Sequence, residues 1–219
     1  KPNIERMLFV DTETTGLSGG TGTVAFLVGI GYFENDQFHI HQLFMRDYSE
    51  EFFLLQKLVQ IFREYEVLVS FNGKSFDMPL LDSRFIMHRL REYQKDFYHL
   101  DLLHHSRRIW KLRLDSCSLQ SLEQHILHVE RGQDIPGAEI PGRYFAFLEC
   151  GDMSMVEDIL MHNQYDILSL VFLLAEIVHL YANPLECTYS QDLYCLGRVY
   201  EKVGQTSRAI ECYRKANQL

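Results

Sequence analysis

The sequence predicts an α/β fold, a five-stranded mixed sheet flanked by helices, with a helical hairpin at its C-terminal end. Three observations predict it. Three strand-like runs follow one another before any helical run, two further strand-like runs alternate with helical ones, and the last thirty residues change to a purely helical pattern. Antiparallel neighbours can be joined by tight turns, whereas parallel neighbours need a crossover that is most often a helix. The expected sheet is therefore an antiparallel meander followed by two parallel additions.

Met7 to Val10 is a short apolar run ending at Asp11, a buried strand, and the glycine-rich residues 16–22 form a loop after it. Thr23 to Phe33 and Gln37 to Met45 read as two more strands, turning at Glu34-Asn35-Asp36. Ser49 opens a helix, since Phe52, Leu55, Leu58, Val59 and Phe62 recur at helical spacing and Glu50 and Glu51 suit its first turn. Val67 to Phe71 is a fourth strand closed by Asn72-Gly73, residues 76–92 are helical, and Phe97 to Leu103 is a fifth strand. A short helix covers Ser118 to Leu127, residues 132–142 form a loop rich in glycine and proline, and a long helix runs from about Met155 to Tyr181.

Leu193, Leu196, Gly197, Tyr200, Gly204, Ala209, Tyr213 and Ala216 fall at the positions of a tetratricopeptide repeat, in which small residues let two helices approach. The expected organisation is one domain over residues 1–184 and a single or truncated repeat over 185–219. One such unit does not bury its own face. With a first residue other than methionine, and a last one just short of the repeat's usual proline, the chain reads as a piece of a longer protein.

Composition narrows the function classes. The 219 residues are 47% hydrophobic and 23% charged, which suits a soluble globule and excludes a disordered chain. No run of about eighteen apolar residues and no signal-peptide pattern is evident, so neither a membrane span nor a secreted precursor is expected. Five cysteines without CxxC pairing point to reduced thiols in the cytosol. The net charge of −9 argues, at face value, against a phosphate-rich partner.

Three elements carry candidate chemistry. In Asp11-Thr12-Glu13-Thr14-Thr15-Gly16-Leu17, Asp11 and Glu13 are two apart and project from one face at the sheet's carboxyl end, where open α/β sheets place their sites. Carboxylates this close resist ionising together unless a cation compensates, and a hard divalent ion with oxygen ligands is the natural one. A solvated turn with two unrelated acids fits the same pair. In Asn72-Gly73-Lys74-Ser75-Phe76-Asp77, Asp77 enters a helix near its start, where a helix-capping role is equally open. In the long helix, His162 and Asp166 lie one turn apart on one face, a pattern also met in core histidines.

Together the three elements resemble the DEDD superfamily of 3′–5′ exonucleases, which use a ribonuclease-H-like fold, and in particular the YprB-like group of predicted bacterial exonucleases. The first motif, DxETTGL, stands at Asp11 to Leu17, the second at Asn72 to Leu81, and the third at His162 and Asp166. The resemblance covers roughly residues 7–182 and implies a two-metal site of Asp11, Glu13, Asp77 and Asp166 holding Mg²⁺ or Mn²⁺. It implies His162 as the general base, hydrolysis that releases 5′-mononucleotides, and Thr14, Thr15 and Leu17 around the terminal nucleotide. Asn72 and Lys74 are expected near the substrate. One departure stands out: the His subgroup places its base five residues before the aspartate and the Tyr subgroup places its tyrosine four before. Here a histidine takes the tyrosine's spacing, with Met161 one position earlier. A haloacid-dehalogenase-like phosphatase would need Asp where Glu13 stands. A scaffold or nucleic-acid-binding module with a vestigial nuclease domain, working through the repeat and a protein partner, is the alternative from another class.

The charge objection is local. Between Arg84 and Arg113 stand eight Lys and Arg against Glu92, Asp96 and Asp101, a net +5 that leaves −14 for the remainder. With Trp110 and Tyr98 in the same stretch, Arg107 and Arg108 are expected to track and stack a single strand, though a solvated basic helix face with a core tryptophan reads the same way.

Overall fold

A computed structural model describes residues 3–16, 22–90 and 98–219. The chain forms two compact units, one from Lys1–Asp101 with Arg131–Leu170, the other from Leu102–Glu130 with Val171–Leu219. The expected boundary at residue 184 does not coincide with this division, because two segments before it cluster with the C-terminal helices.

The first unit holds a five-stranded sheet in the order β3-β2-β1-β4-β5. Its strands are β1 (Met7–Thr14), β2 (Ala25–Glu34), β3 (Gln37–Phe44), β4 (Val67–Ser70) and β5 (Tyr98–Asp101). The first three form the expected antiparallel meander, and β4 and β5 add in parallel. Asn35 and Asp36 both adopt positive φ, at 51° and 60°, as a two-residue hairpin turn matched to strand twist requires.

Two strand ends differ from expectation. β1 continues past Val10, because Asp11, Thr12 and Glu13 keep pairing with Gly29, Val28 and Leu27 until the register shifts at Thr14. The candidate carboxylates therefore stand on the strand itself. The fifth strand stops at Asp101, and Leu102 already begins helix α3 (Leu102–Trp110). Leu102, Leu103, Ser106, Ile109 and Trp110 are buried at helical spacing, a period of 3.6 that outlasts the short strand pairing.

Helix α1 (Glu51–Phe62) matches expectation, whereas helix α2 (Asp77–Met87) ends before the expected residue 92, with His88 as its C-cap and Arg89 turning the chain at a positive φ of 58°; residues 91 and 92 lie outside the described residues. Ser118 caps the short α4 (Leu119–Leu122), its hydroxyl accepting from the Ser121 amide at 3.3 Å, and a π-turn carries on to Leu127.

The loop expected over residues 132–142 ends early, in helix α5 (Ile140–Cys150). Pro141 starts this helix instead of breaking it, since a first-turn residue needs no amide proton. On α5 the Tyr144 ring stacks on Phe26 at 3.8 Å and its hydroxyl donates to the Met45 carbonyl at 3.0 Å. The core of this unit joins Leu8, Val28 and Phe26 of the sheet to Leu58, Phe85 and Ile159, each large apolar side chain contributing about 1.5–3 kcal/mol by burial.

Helix α6 (Glu157–Ala182) begins in the first unit and ends in the second. It is long and apolar enough to cross a membrane by length and composition alone, a property that core helices of globular domains share. In its N-terminal half Ile159, Ile167 and Leu170 are buried, while His162 and Asp166 are only partly covered.

In the second unit α7 (Ser190–Lys202) and α8 (Thr206–Ala216) form a hairpin. A Cβ at Gly197 would come within 2.5 Å of the Tyr213 ring, so glycine is what lets the two helices close.

Candidate active site

The central strand and α6 build the site, and the first contact between them depends on a glycine. Gly29 pairs with Asp11 across the sheet, and a Cβ there would sit 2.2 Å from the Asn163 side-chain oxygen. With no side chain in the way, Asn163 of α6 reaches the strand and its Nδ2 donates to Asp11 Oδ2 at 2.9 Å. Gln42 of β3 donates to Asn163 Oδ1 at 3.0 Å and to the Leu160 carbonyl at 2.8 Å, which orients the Asn163 amide. Asp77, the first residue of α2, accepts a bond from the Thr12 hydroxyl. The loop before α2 is held by Asp101, which accepts from the Asn72 and Lys74 amides at 2.9 and 3.1 Å.

On α6 the one-turn spacing brings His162 Nε2 to 3.6 Å from Asp166 Oδ2, and the same nitrogen lies 4.0 Å from Glu13 Oε1. Glu13, His162 and Asp166 form a group whose ligand atoms all lie within 4.8 Å of one another. The opposite ring nitrogen, Nδ1, is 2.7 Å from Asp134 Oδ1. An ionised carboxylate only accepts, so Asp134 is the acceptor for a proton on Nδ1, where Arg131 Nη1 also lies at 3.3 Å, and Nε2 is the ring nitrogen that faces Glu13 and Asp166. Arg131 pairs with Asp166 and with Asp134, at 3.0 Å to the latter, and its guanidinium carbon lies 5.6 Å from the centre of the Tyr165 ring.

The electrostatics follow from this convergence. Burial first, then the charges of Asp166, Glu13 and Asp77, hold the Asp11 carboxyl well above the usual range, with the Asn163 bond opposing. Glu13 is pushed up to about 8, chiefly by burial and then by Asp166, Asp77 and Asp134, with Arg131 opposing. Burial pushes Asp77 up to about 6, against the Thr12 bond and with the charge of Asp101 adding. Asp134 behaves oppositely: burial alone would raise it, but the His162 bond and the charges of His162 and Arg131 bring it below its usual value.

A carboxyl raised in this way keeps its proton in the folded chain at a pH where the unfolded chain has lost it. The stability involved is present below about pH 4.5 and is lost as pH rises toward about 8 through the Glu13 value. In EDTA the melting temperature is expected to fall from about pH 5 to about pH 8, and Mn²⁺ is expected to raise it more at the upper pH. Calorimetric scans at both values check this, and a metal-independent, flat profile would contradict it.

The structure brings together Asp11, Glu13, Asp77, His162 and Asp166. Thr14 and Thr15 stand beside them but bond within their own loop, Thr14 donating to the Gly16 carbonyl at 2.8 Å and Thr15 accepting from the Val24 amide at 3.0 Å. Leu17 lies outside the described residues. The side chains of Asn72 and Lys74 are exposed, and Arg107 and Arg108 lie exposed on α3 in the second unit.

Two members of the expected basic stretch are structural. Arg84 is buried and pairs with Glu51 at 2.5 Å through both Nε and Nη2, and Glu51 also meets His88 at 2.7 Å. Arg113 pairs with Asp192 at 2.8 Å. Trp110, expected as a stacking platform, is 1% exposed and belongs to the interior. Sequence reasoning missed Arg131 and Asp134, which no motif marks, and passed over Asn163 and Thr12, which stand inside motifs it did quote.

A family model described as the RNase_H superfamily matches residues 8–178. The chain belongs to the RNase H superfamily. Among curated proteins this superfamily member is similar to the uncharacterized protein YprB of Bacillus subtilis (strain 168), with 32% identity over 216 residues. That match covers 95% of the chain but 51% of YprB, so the chain spans about half the length of this relative. Among solved structures it resembles the family B DNA polymerase of the hyperthermophilic archaeon Pyrobaculum calidifontis, with a TM-score of 0.59 and 15% identity. The match covers 91% of the chain and 29% of the polymerase, a likeness of fold. The RNase H-like sheet thus places an acidic cluster suited to a divalent cation on its central strand and on α6.

Proposed function

We propose that the chain is a metal-dependent 3′–5′ exonuclease of the DEDD type, hydrolysing phosphodiester bonds at nucleic-acid 3′ ends to release 5′-mononucleotides. The observation that carries this reading is the convergence of Asp11, Glu13, Asp77 and Asp166 beside an imidazole whose Nε2 faces Asp166 and Glu13. The donor set fits the metal: carboxylate oxygens suit Mg²⁺ or Mn²⁺, and buried acids that raise one another's pKa are groups a cation would relieve. Two such ions, held by these four residues, would supply charge neutralisation at the scissile phosphate and acidify the attacking water.

The remaining steps belong to the chain's own side chains. His162 Nε2 takes the proton from the water. Asp134 holds the Nδ1 proton and so keeps the basic nitrogen turned inward. Asn163 and Thr12 aim Asp11 and Asp77. Glu13 is positioned to receive the terminal 3′-hydroxyl, with Thr14 and Thr15 beside the last nucleotide. The C-terminal hairpin, read as a tetratricopeptide repeat, would offer a surface for a protein partner.

A 5′-labelled single-stranded oligonucleotide, DNA and RNA in parallel, tests the proposal. Shortening from the 3′ end that requires Mg²⁺ or Mn²⁺ is the expected result. Untouched ends with both metals would leave the scaffold reading in its place.

A further inference from the structure

A concave surface lies wholly within the second unit, between α3 and α7. It is a groove of about 280 Å³ whose lining holds five cations and no carboxylate. One wall carries Arg107, Arg108 and Lys111, from α3 and the turn after it, and the other carries Arg198 and Lys202 of α7. All five side chains are exposed, and among the described residues none of them is in an ion pair. The fold sorts its cations here, because Arg113 from the same segment turns to Asp192 at 2.8 Å and lies over the Tyr189 ring at 4.1 Å.

Like charges one helical turn apart repel each other, and here Arg107 with Lys111, and Arg198 with Lys202, keep that spacing on both walls. An anionic ligand is the compensation such a surface lacks. On the α7 wall Arg198 and Lys202 stand about 6 Å apart along the helix, from four residues of rise, close to the span between successive phosphates of an extended strand. Leu112 and Val199 line the same groove and give it an apolar part suited to sugar and base edges.

We propose that this groove binds the phosphate backbone of a single nucleic-acid strand. The inference deepens the nuclease reading by naming where substrate is gripped, and it rests on that reading for the choice of nucleic acid over another polyanion. Two of its residues, Arg198 and Lys202, lie in the hairpin expected to serve a protein partner, about ninety positions along the chain from the other wall. The groove therefore exists only once α3 and α7 pack.

Binding in EDTA separates grip from turnover. The probe is a 5′-fluorescein oligothymidylate, followed by anisotropy with the 219-residue chain over a salt series. Arg198→Gln combined with Lys202→Gln is expected to weaken binding by roughly tenfold or more near 0.1 M salt. It should also make the slope of log affinity against log salt shallower by about 1.4, or about 0.7 for each lost contact. Arg107→Gln with Lys111→Gln tests the other wall independently, with circular dichroism confirming that each variant folds. Wild-type affinity and slope in both pairs would overturn the proposal. So would polyglutamate displacing the probe as well as unlabelled oligothymidylate does, since the ligand would then be an acidic protein segment. With Mg²⁺ or Mn²⁺ added, a strand that is gripped but never shortened counts against the nuclease reading and not against the groove. Normal shortening with unchanged binding in both variant pairs counts against the groove alone.

Discussion

Replacing Asp166 with alanine is expected to lower Mg²⁺- or Mn²⁺-dependent shortening of an oligonucleotide by about 10³-fold or more, since a metal contributes several kcal/mol of transition-state stabilisation. Asp166 is the largest charge acting on both Asp11 and Glu13, and it joins Glu13 and His162 in the one cluster of ligand spacing found among the described residues. A second consequence separates this loss from misfolding. Without Asp166 the repulsion on Asp11 and Glu13 falls, so the variant should melt no lower than wild type in EDTA at about pH 8, and should gain less from Mn²⁺. Single-turnover rates and melting curves on one preparation read both effects. A variant that keeps the wild-type rate would remove Asp166 from the site.

His162→Ala is expected to reduce kcat by about 10²-fold or more, the usual scale for a positioned general base. The spacing of four residues from the aspartate is no obstacle, because one helical turn brings Nε2 to 3.6 Å from Asp166. Asp134 provides a graded test of the same idea. Asp134→Asn keeps the shape but no longer demands the proton on Nδ1, so kcat should fall by about tenfold while KM stays level. Buffer imidazole that restores part of the His162→Ala rate would support the assignment. A His162→Ala enzyme turning over at the wild-type rate would end it.

How much of this was legible in the sequence depended on distance along the chain. Asp11 and Glu13 were readable because a strand has a period of two, and His162 with Asp166 because a helix repeats every 3.6 residues. Asp77 was readable only through motif resemblance, since a lone acid at a helix start has an ordinary capping role. Arg131 and Asp134 left no trace: they precede His162 by 31 and 28 positions in an irregular segment, and only packing brings them to its ring. The same limit produced the fifth strand's expected end at Leu103 in place of Asp101, and the missed α5, where pairing partners and a first-turn proline decided the outcome.

Charge shows the division most clearly. The basic stretch from Arg84 to Arg113 appears in the sequence as one feature, a local excess of cations in an acidic chain. Folding divides it: Arg84 is buried against Glu51, Arg113 is turned to Asp192, and Arg107, Arg108 and Lys111 remain exposed and join Arg198 and Lys202. By itself the sequence predicted the fold class and the meander followed by two parallel strands, because local periodicity carries that information, while the four carboxylates were singled out by motif resemblance. The partners of the His162 ring, the aim of Asp11 and the composition of the basic groove were decided only by the tertiary structure. Each depends on groups far apart in sequence meeting at hydrogen-bonding or Coulombic distance, where burial raises the energy of every unpaired charge.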